Sequence, residues 1–265
     1  MSPTFLDELA IETLEVNLFR GWGREGAPGR VFGGQVAAQA VMAAQQTVEV
    51  DHGIHSFHAY FLRAGDPSVP IVYDVDRIRD GRSFSTRRVR AIQHGEAIFN
   101  LSASFHHDEA GPDHQSGIAL DVPPPEEVEP SPWRRGLVDV RELPPARSAD
   151  ERGLVHRRMW FRVPGELPDD PAIHVAAIAY TSDHGPTGTL RLAHADTHGR
   201  AELMTASLDH CVWFHRPARA DEWLLIDLEA RSTAGARGLA QGTIHREDGV
   251  LVASVAQEGM LRIRR

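Results

Sequence analysis

Alternating apolar and polar positions fall into two sets along this chain, and the sets resemble each other. The first runs from Ser56 to Phe105 and the second from Asp209 to Gln257. Each opens with an aromatic-rich stretch that ends in arginine, Arg63 and Arg216. Each turns through Pro, Gly, Asp or Ala and resumes as a period-two run, IVYDVDRI in one and LLIDLEAR in the other. Asp74 and Asp227 stand at the same distance from their arginines. Such alternation predicts half-buried strands, because successive side chains of a strand point to opposite faces. Each set closes on a turn signal between apolar runs, His94-Gly95 in the first and Asp248-Gly249 in the second, which predicts a hairpin in both.

A helix is predicted ahead of each set. Gly33-Gly34-Gln35 leads into VAAQAVMAAQQTV, an alanine-rich run of good helix formers. Asp169-Asp170-Pro171 leads into AIHVAAIAY, and acid followed by proline marks a helix start. Neither run has a strongly polar face, which predicts burial. A long helix wrapped by an antiparallel sheet, twice in one chain, is an α+β double hot-dog arrangement. The divisions that follow are an N-terminal unit over 1–108, a linker over 109–152 and a C-terminal unit over 153–265. Clustered proline and acid in PPPEEVEPSP and ELPPARSADE argue against a packed core in the linker. Its short apolar stretch GLVDV is either a docking segment or disordered.

Composition narrows the function. The net charge of −9 repels a nucleic-acid backbone, so no nucleic-acid partner is expected. All 28 residues counted as Lys or Arg are arginine, which removes Schiff-base lysines and the phosphate-loop lysine together. Cys211 is the single cysteine, so neither an internal disulfide nor a cysteine zinc knuckle can form. No long apolar run predicts a membrane span, and the acidic start does not read as a secretory signal. A cytoplasmic location is expected.

Few residues announce chemistry by themselves. There is no G-x-S-x-G elbow, and Cys211 lies inside an apolar strand. Gln257 ends the apolar run VLVASV, where core packing alone favours an apolar residue, and a buried glutamine needs partners. His55 and His58 face opposite sides of a strand, as do Ser207 and His210, so neither pair is expected to share a site. Gly33 and Gly34 permit close approach to backbone N–H groups at a helix start, a place for an oxyanion, and Gln35 is a candidate substrate contact. Arg63, Arg79, Arg82, Arg87, Arg88 and Arg90 form a basic stripe that reads either as a solvated, ion-paired face or as a phosphate contact. Arg87 and Arg88 are carried forward as substrate-binding candidates.

The blocks RVFGGQVAAQA, HSFHAYFLRAGD, PIVYDVDRIRDGRSFSTRRVRAIQ, SLDHCVWFHRP, EWLL and DGVLVASVAQEG resemble acyl-CoA thioesterase II. They cover nearly all of both repeats. The resemblance implies hydrolysis of acyl-CoA to free acid and CoA without metal or cofactor, by a homo-oligomer, dimer or tetramer. It also implies a water-holding trio, which maps to Asp183 in AYTSDHGP, Ser207 in MTASLDHCVWFH and Gln257 in SVAQEG. Some members carry threonine where Ser207 stands; both hydroxyls offer one donor and two lone pairs. By the repeat register Gln257 corresponds to Phe105, so one composite site per chain is expected. Two other functions stay open: enoyl-CoA hydration, which usually needs a paired Asp and His at a helix start, and non-catalytic acyl-CoA or lipid binding. A purely structural partner protein is a third.

Overall fold

The computed structural model describes residues 4–24, 29–116, 121–131, 137–147, 153–199 and 202–264. They group into two compact units. One comprises residues 1–114 with 167–181, the other 115–166 with 182–265.

The first unit begins with α1 (Phe5–Leu9), started by a reciprocal capping box between Thr4 and Asp7. Strands β1 (Ile11–Glu15) and β2 (Leu18–Gly21) precede α2 (Gly33–Gln45). Then come β3 (His52–Phe61), β4 (Ile71–Asp80), β5 (Phe84–Gln93) and β6 (Glu96–His107). They form an antiparallel sheet in the order β1-β2-β4-β5-β6-β3. The α2 helix lies on β3 to β6, and its small side chains explain how closely: Ala37, Ala38, Ala40, Ala43 and Ala44 are fully buried. The polar Gln39 is buried among them because it is satisfied. Its amide donates to the carbonyls of Glu8 and Trp22, and its oxygen accepts from Tyr73 Oη at 2.7 Å. Helix α3 (Pro171–Ser182), all but its last residue, also groups with this unit. Gly34 makes this possible: a Cβ there would collide with the Tyr180 carbonyl and the Phe32 ring.

The second unit holds β7 (Asp139–Glu142), β8 (Ala146–Arg147), β9 (Val155–Arg162) and α4 (Pro186–Leu192). It continues with β10 (Leu203–Ser207), β11 (Asp209–Phe214), β12 (Leu224–Ala234), β13 (Arg237–Arg246) and β14 (Leu251–Ile263). The order is β7-β9-β12-β13-β14-β11, with β10 also on β14 and β8 also on β9. The repeat legible in the sequence is a repeat of topology. The run β2-β4-β5-β6-β3 in one unit recurs as β9-β12-β13-β14-β11 in the other. Both expected hairpins are present, at His94-Gly95 between β5 and β6 and at Asp248-Gly249 between β13 and β14.

Two segments differ from the sequence expectation. Among the described residues of 109–152, a few pack against the second unit. Leu137–Val140 carries the alternation of an edge strand, so β7 pairs with β9, and Val138 is buried. Val122 and Val128 pack against the cluster Leu143, Trp160, Trp223 and Leu225. Gly136 and residues 148–152 lie outside the described residues. The second predicted helix, α3, groups with the first unit, and the shorter α4 lies on the second sheet instead.

Candidate active site

Three strands and one turn meet at β14. The turn follows α3 directly and carries Asp183; α4 then begins at Pro186, whose fixed φ suits a first helical turn. Gly185 is pressed onto the sheet, where a Cβ would collide with Leu228 and Met159. Arg157 ties the turn down: its Nη1 donates to the Gly185 carbonyl at 3.1 Å while its Nε donates to Glu142 at 2.7 Å. Asp183 is thereby held over the second unit's sheet at a fixed place in the chain.

The other two residues come from a change of partner along β14. Its Ala253–Ala256 stretch pairs with β11, and its Gly259–Ile263 stretch pairs with β10. Gln257 sits at the changeover, across from Ala240 of β13, and is 1 % exposed. Leu208 breaks the chain between β10 and β11; its N–H donates to the Glu258 carbonyl, and the Asp209 carboxylate accepts from the Glu258 N–H. Ser207 ends β10 opposite Gly259.

The three predicted residues are brought together. Gln257 Nε2 donates to Ser207 Oγ at 2.7 Å and to Asp183 Oδ1 at 3.0 Å. Ser207 Oγ donates to the same Asp183 oxygen at 3.4 Å. The hydroxyl thus accepts from the amide and donates to the carboxylate, using both of its capacities. Two neutral donors on one carboxylate oxygen fix its rotation and leave an oriented acceptor for a proton.

Comparison with known proteins decides the family. Residues 140–260 match the family described as acyl-CoA thioesterase, and residues 21–106 match the acyl-CoA thioesterase N-terminal domain. Acyl-coenzyme A thioesterase 8 of Mus musculus is 38% identical over 97% of this chain and 88% of its own length. Acyl-CoA thioesterase 2 of Haemophilus influenzae is 35% identical over 96% of this chain and 95% of its own. The crystal structure of an acyl-CoA thioesterase II from Mycobacterium marinum superposes with a TM-score of 0.86 at 42% identity, covering 97% of this chain and 98% of that one. The chain belongs to the acyl-CoA thioesterase II family. A hot-dog protein of unknown function from Alicyclobacillus acidocaldarius, 20% identical with a TM-score of 0.79 and full coverage of both chains, shares the fold.

Other predicted contacts of this thioesterase-family chain fare differently. Gly33 and Gly34 form the first turn of α2, whose N-cap Phe32 offers no side-chain hydrogen bond to the first-turn N–H groups. Gln35 is buried and its side chain donates to the Trp22 carbonyl at 3.0 Å. Arg87 corrects the expectation of a phosphate contact. It is 1 % exposed; its guanidinium donates to Thr47 Oγ1 and carbonyl, to the Arg79 and Thr86 carbonyls, and to Asp80. Every donor of the fork is committed inside the first unit. Arg88, its neighbour on the opposite face, is exposed and pairs with Asp76 at 2.8 Å. Among the described residues one His/Asp group has metal-ligand spacing, Asp51, His52 and His107 of the first unit; the His52 ring hydrogen bonds the Asp51 carboxylate, and His107 Nδ1 lies 3.0 Å from its other oxygen.

Two residues at the site are missed by sequence reasoning. His210 and Ser182 are both 0 % exposed, and Ser182 Oγ lies 2.8 Å from His210 Nε2. Burial pushes His210 down to about 4, so the imidazole is neutral at physiological pH. The expectation that Ser207 and His210 face apart assumes one continuous strand. The break at Leu208 interrupts that strand; Ser207 accepts from Gln257, and the buried His210 ring meets Ser182. The Asp209-His210 pair was the available signal.

Proposed function

We propose that this chain hydrolyses acyl-CoA thioesters to the free carboxylic acid and CoA, with the attacking water held by Asp183, Ser207 and Gln257. Membership of the acyl-CoA thioesterase II family carries the reaction, and the shared hydrogen bonding of the three side chains carries the site. A water bound to the oriented Asp183 carboxylate loses its proton to that carboxylate as its oxygen adds to the thioester carbonyl. Collapse of the tetrahedral intermediate breaks the C–S bond, and the proton passes to the departing CoA sulfur. No covalent acyl-enzyme is required, in keeping with a Ser207 hydroxyl that already bridges Gln257 and Asp183.

The first-turn N–H groups at Gly33 and Gly34, the Gln35 side chain and Arg88 belong to the proposal as substrate contacts. Exposure supports Arg88; the lack of a side-chain cap supports the glycines. The double hot-dog reading, two helices and two antiparallel sheets, is supported by the strand order common to both units. A cytoplasmic homo-oligomer completes it, since a single cysteine suits a reducing compartment. None of the described helices is long and apolar enough to cross a membrane.

The test is CoA release, followed with a thiol reagent, across saturated acyl-CoA substrates from short to long. Steady release with at least one chain length is expected. Tight acyl-CoA binding with no release would replace hydrolysis by carriage, and hydroxyacyl-CoA formed from an enoyl-CoA would replace it by hydration.

A further inference from the structure

At the place in the first unit that corresponds to Ser207 and Gln257, the sheet carries different chemistry. The strand registers allow a residue-by-residue match. In the second unit Ser207 lies opposite Gly259 and Cys211 opposite Ala256, so the path from β10 to β11 takes one residue more than β14. In the first unit His52 lies opposite His107 and Ser56 opposite Ser104, with the same extra residue on β3. His52 therefore stands where the second unit has Ser207, Phe105 where it has Gln257, and His107 where it has Gly259. Phenylalanine holds no water, but two imidazoles now lie side by side, since directly opposed residues of an antiparallel pair share a face. Their ring centroids are 5.9 Å apart.

We propose that Asp51, His52 and His107 bind a zinc ion that ties the start of β3 to the end of β6. Asp51 completes the set from the turn before β3. Its Oδ1 is 2.9 Å from His52 Nδ1, and its Oδ2 is 3.0 Å from His107 Nδ1. One ligand atom from each of the three residues lies within 4.8 Å of the other two. Tetrahedral zinc, with bonds of about 2.0–2.1 Å, holds its ligand atoms about 3.3 Å apart, close to both nitrogen–oxygen separations seen here. Two imidazoles and one carboxylate suit zinc, whereas calcium and magnesium take oxygen ligands. Water fills the fourth position.

The three ligands divide into one that is fixed and two that can close. His52 is buried; its N–H donates to the Glu49 carbonyl at 3.0 Å, and its carbonyl accepts from Gln45 Nε2 at 2.9 Å. The Asp51 and His107 side chains are half exposed, so the ion enters from solvent and these two adjust to it. The nearby His55 and His106 rings are engaged elsewhere, with Ser104 Oγ and Glu109. The strength of the site follows from the other nitrogen of His52. Nε2 is buried and has no hydrogen-bond partner among the described residues. Coordination through Nδ1 moves the ring hydrogen to Nε2, where nothing accepts it. Loss of that outer partner weakens a metal site by about 10- to 100-fold, so micromolar rather than nanomolar binding is expected.

The experiment titrates zinc chloride into the untagged, EDTA-treated full-length protein at neutral pH, by calorimetry and by competition with a zinc-binding dye. The wild type is expected to take up one equivalent with a Kd of about 1–10 μM. His107→Ala and Asp51→Asn alter half-exposed side chains, and each is expected to weaken that binding at least about 10-fold while circular dichroism stays unchanged. His107→Gln removes the ligand nitrogen with less change of volume and repeats the test if the alanine variant fails to fold. Zinc at about 100 μM is expected to raise the wild-type melting temperature by about 3–6 °C and to leave that of the variants in place. No binding by the wild type below about 100 μM zinc would overturn the proposal. So would a folded Asp51 or His107 variant that binds as tightly as the wild type, since the ion would then sit on other histidines.

Discussion

Gln257 Nε2 stands 3.0 Å from Asp183 Oδ1, a contact between β14 and the turn after α3 that spans 74 residues of chain. A neutral amide is the right partner for a carboxylate that must stay available as a base, because it orients without adding charge. Asp183→Asn keeps the shape and removes the acceptor. The expected result is a kcat lower by about 10²–10⁴-fold in CoA release, with the melting temperature little changed. A folded variant at the wild-type rate would remove Asp183 from the chemistry.

The Ser207 hydroxyl both accepts from Gln257 and donates to Asp183. Threonine can do the same with one added methyl at a half-buried strand end. Ser207→Thr is expected to keep kcat within about threefold, whereas Ser207→Ala, which breaks both bonds, is expected to lose about 10- to 100-fold. The same assay checks both. A dead but folded Ser207→Thr would mean that the hydroxyl is placed by its rotamer more tightly than the shared hydrogen bonds require.

Strands were legible because their signal is local: alternation in IVYDVDRI and LLIDLEAR, and turn residues between runs, sit within a few residues of each other. The trio was legible only through family resemblance, since Asp183 in a turn and Ser207 on a strand have ordinary local sequences. His210 escaped for a physical reason. Its direction depends on the break at Leu208, and an apolar leucine between two strand-like runs gives no turn signal. Arg87 was misread because burial of a guanidinium is set by what lies around it. The Thr47 and Asp80 partners come from other elements and cannot be inferred from the run Arg87-Arg88. The packed part of 109–152 was hidden by proline and acid, which set its average composition while Val122, Val128 and Val138 do the packing.

Arg87 and Arg88 make a paired test of that correction. Arg87→Leu leaves the Thr47 carbonyl and hydroxyl without their buried donor, while the exposed Asp80 carboxylate turns to water, and is expected to cost about 1–3 kcal/mol in denaturant unfolding. Arg88→Ala breaks only an exposed pair with Asp76 and is expected to cost about 0–1 kcal/mol. If Arg88 meets the CoA phosphates, its loss raises KM by about 3- to 10-fold, and added salt narrows the gap between variant and wild type. A KM unchanged at low salt would take Arg88 out of the substrate site.

His210 also predicts how stability follows pH. Burial lowers its pKa from 6.5 to about 4 in the folded protein. The unfolded chain therefore binds a proton at this residue between those two values while the folded protein does not. More protons on the unfolded side means that stability rises with pH across that window. The contribution is complete above about pH 6.5. It declines as pH falls from there toward 4, by about 3 kcal/mol in all, and this residue adds no further loss below. His55, His215 and His245 are lowered by burial too, so the informative quantity is the difference between wild type and His210→Asn. Guanidinium unfolding at a series of pH values from 8 to 4 is expected to give a shallower fall for the variant. Parallel curves would show that His210 takes up its proton in the folded protein as readily as in the unfolded chain, which a fully buried ring does not allow.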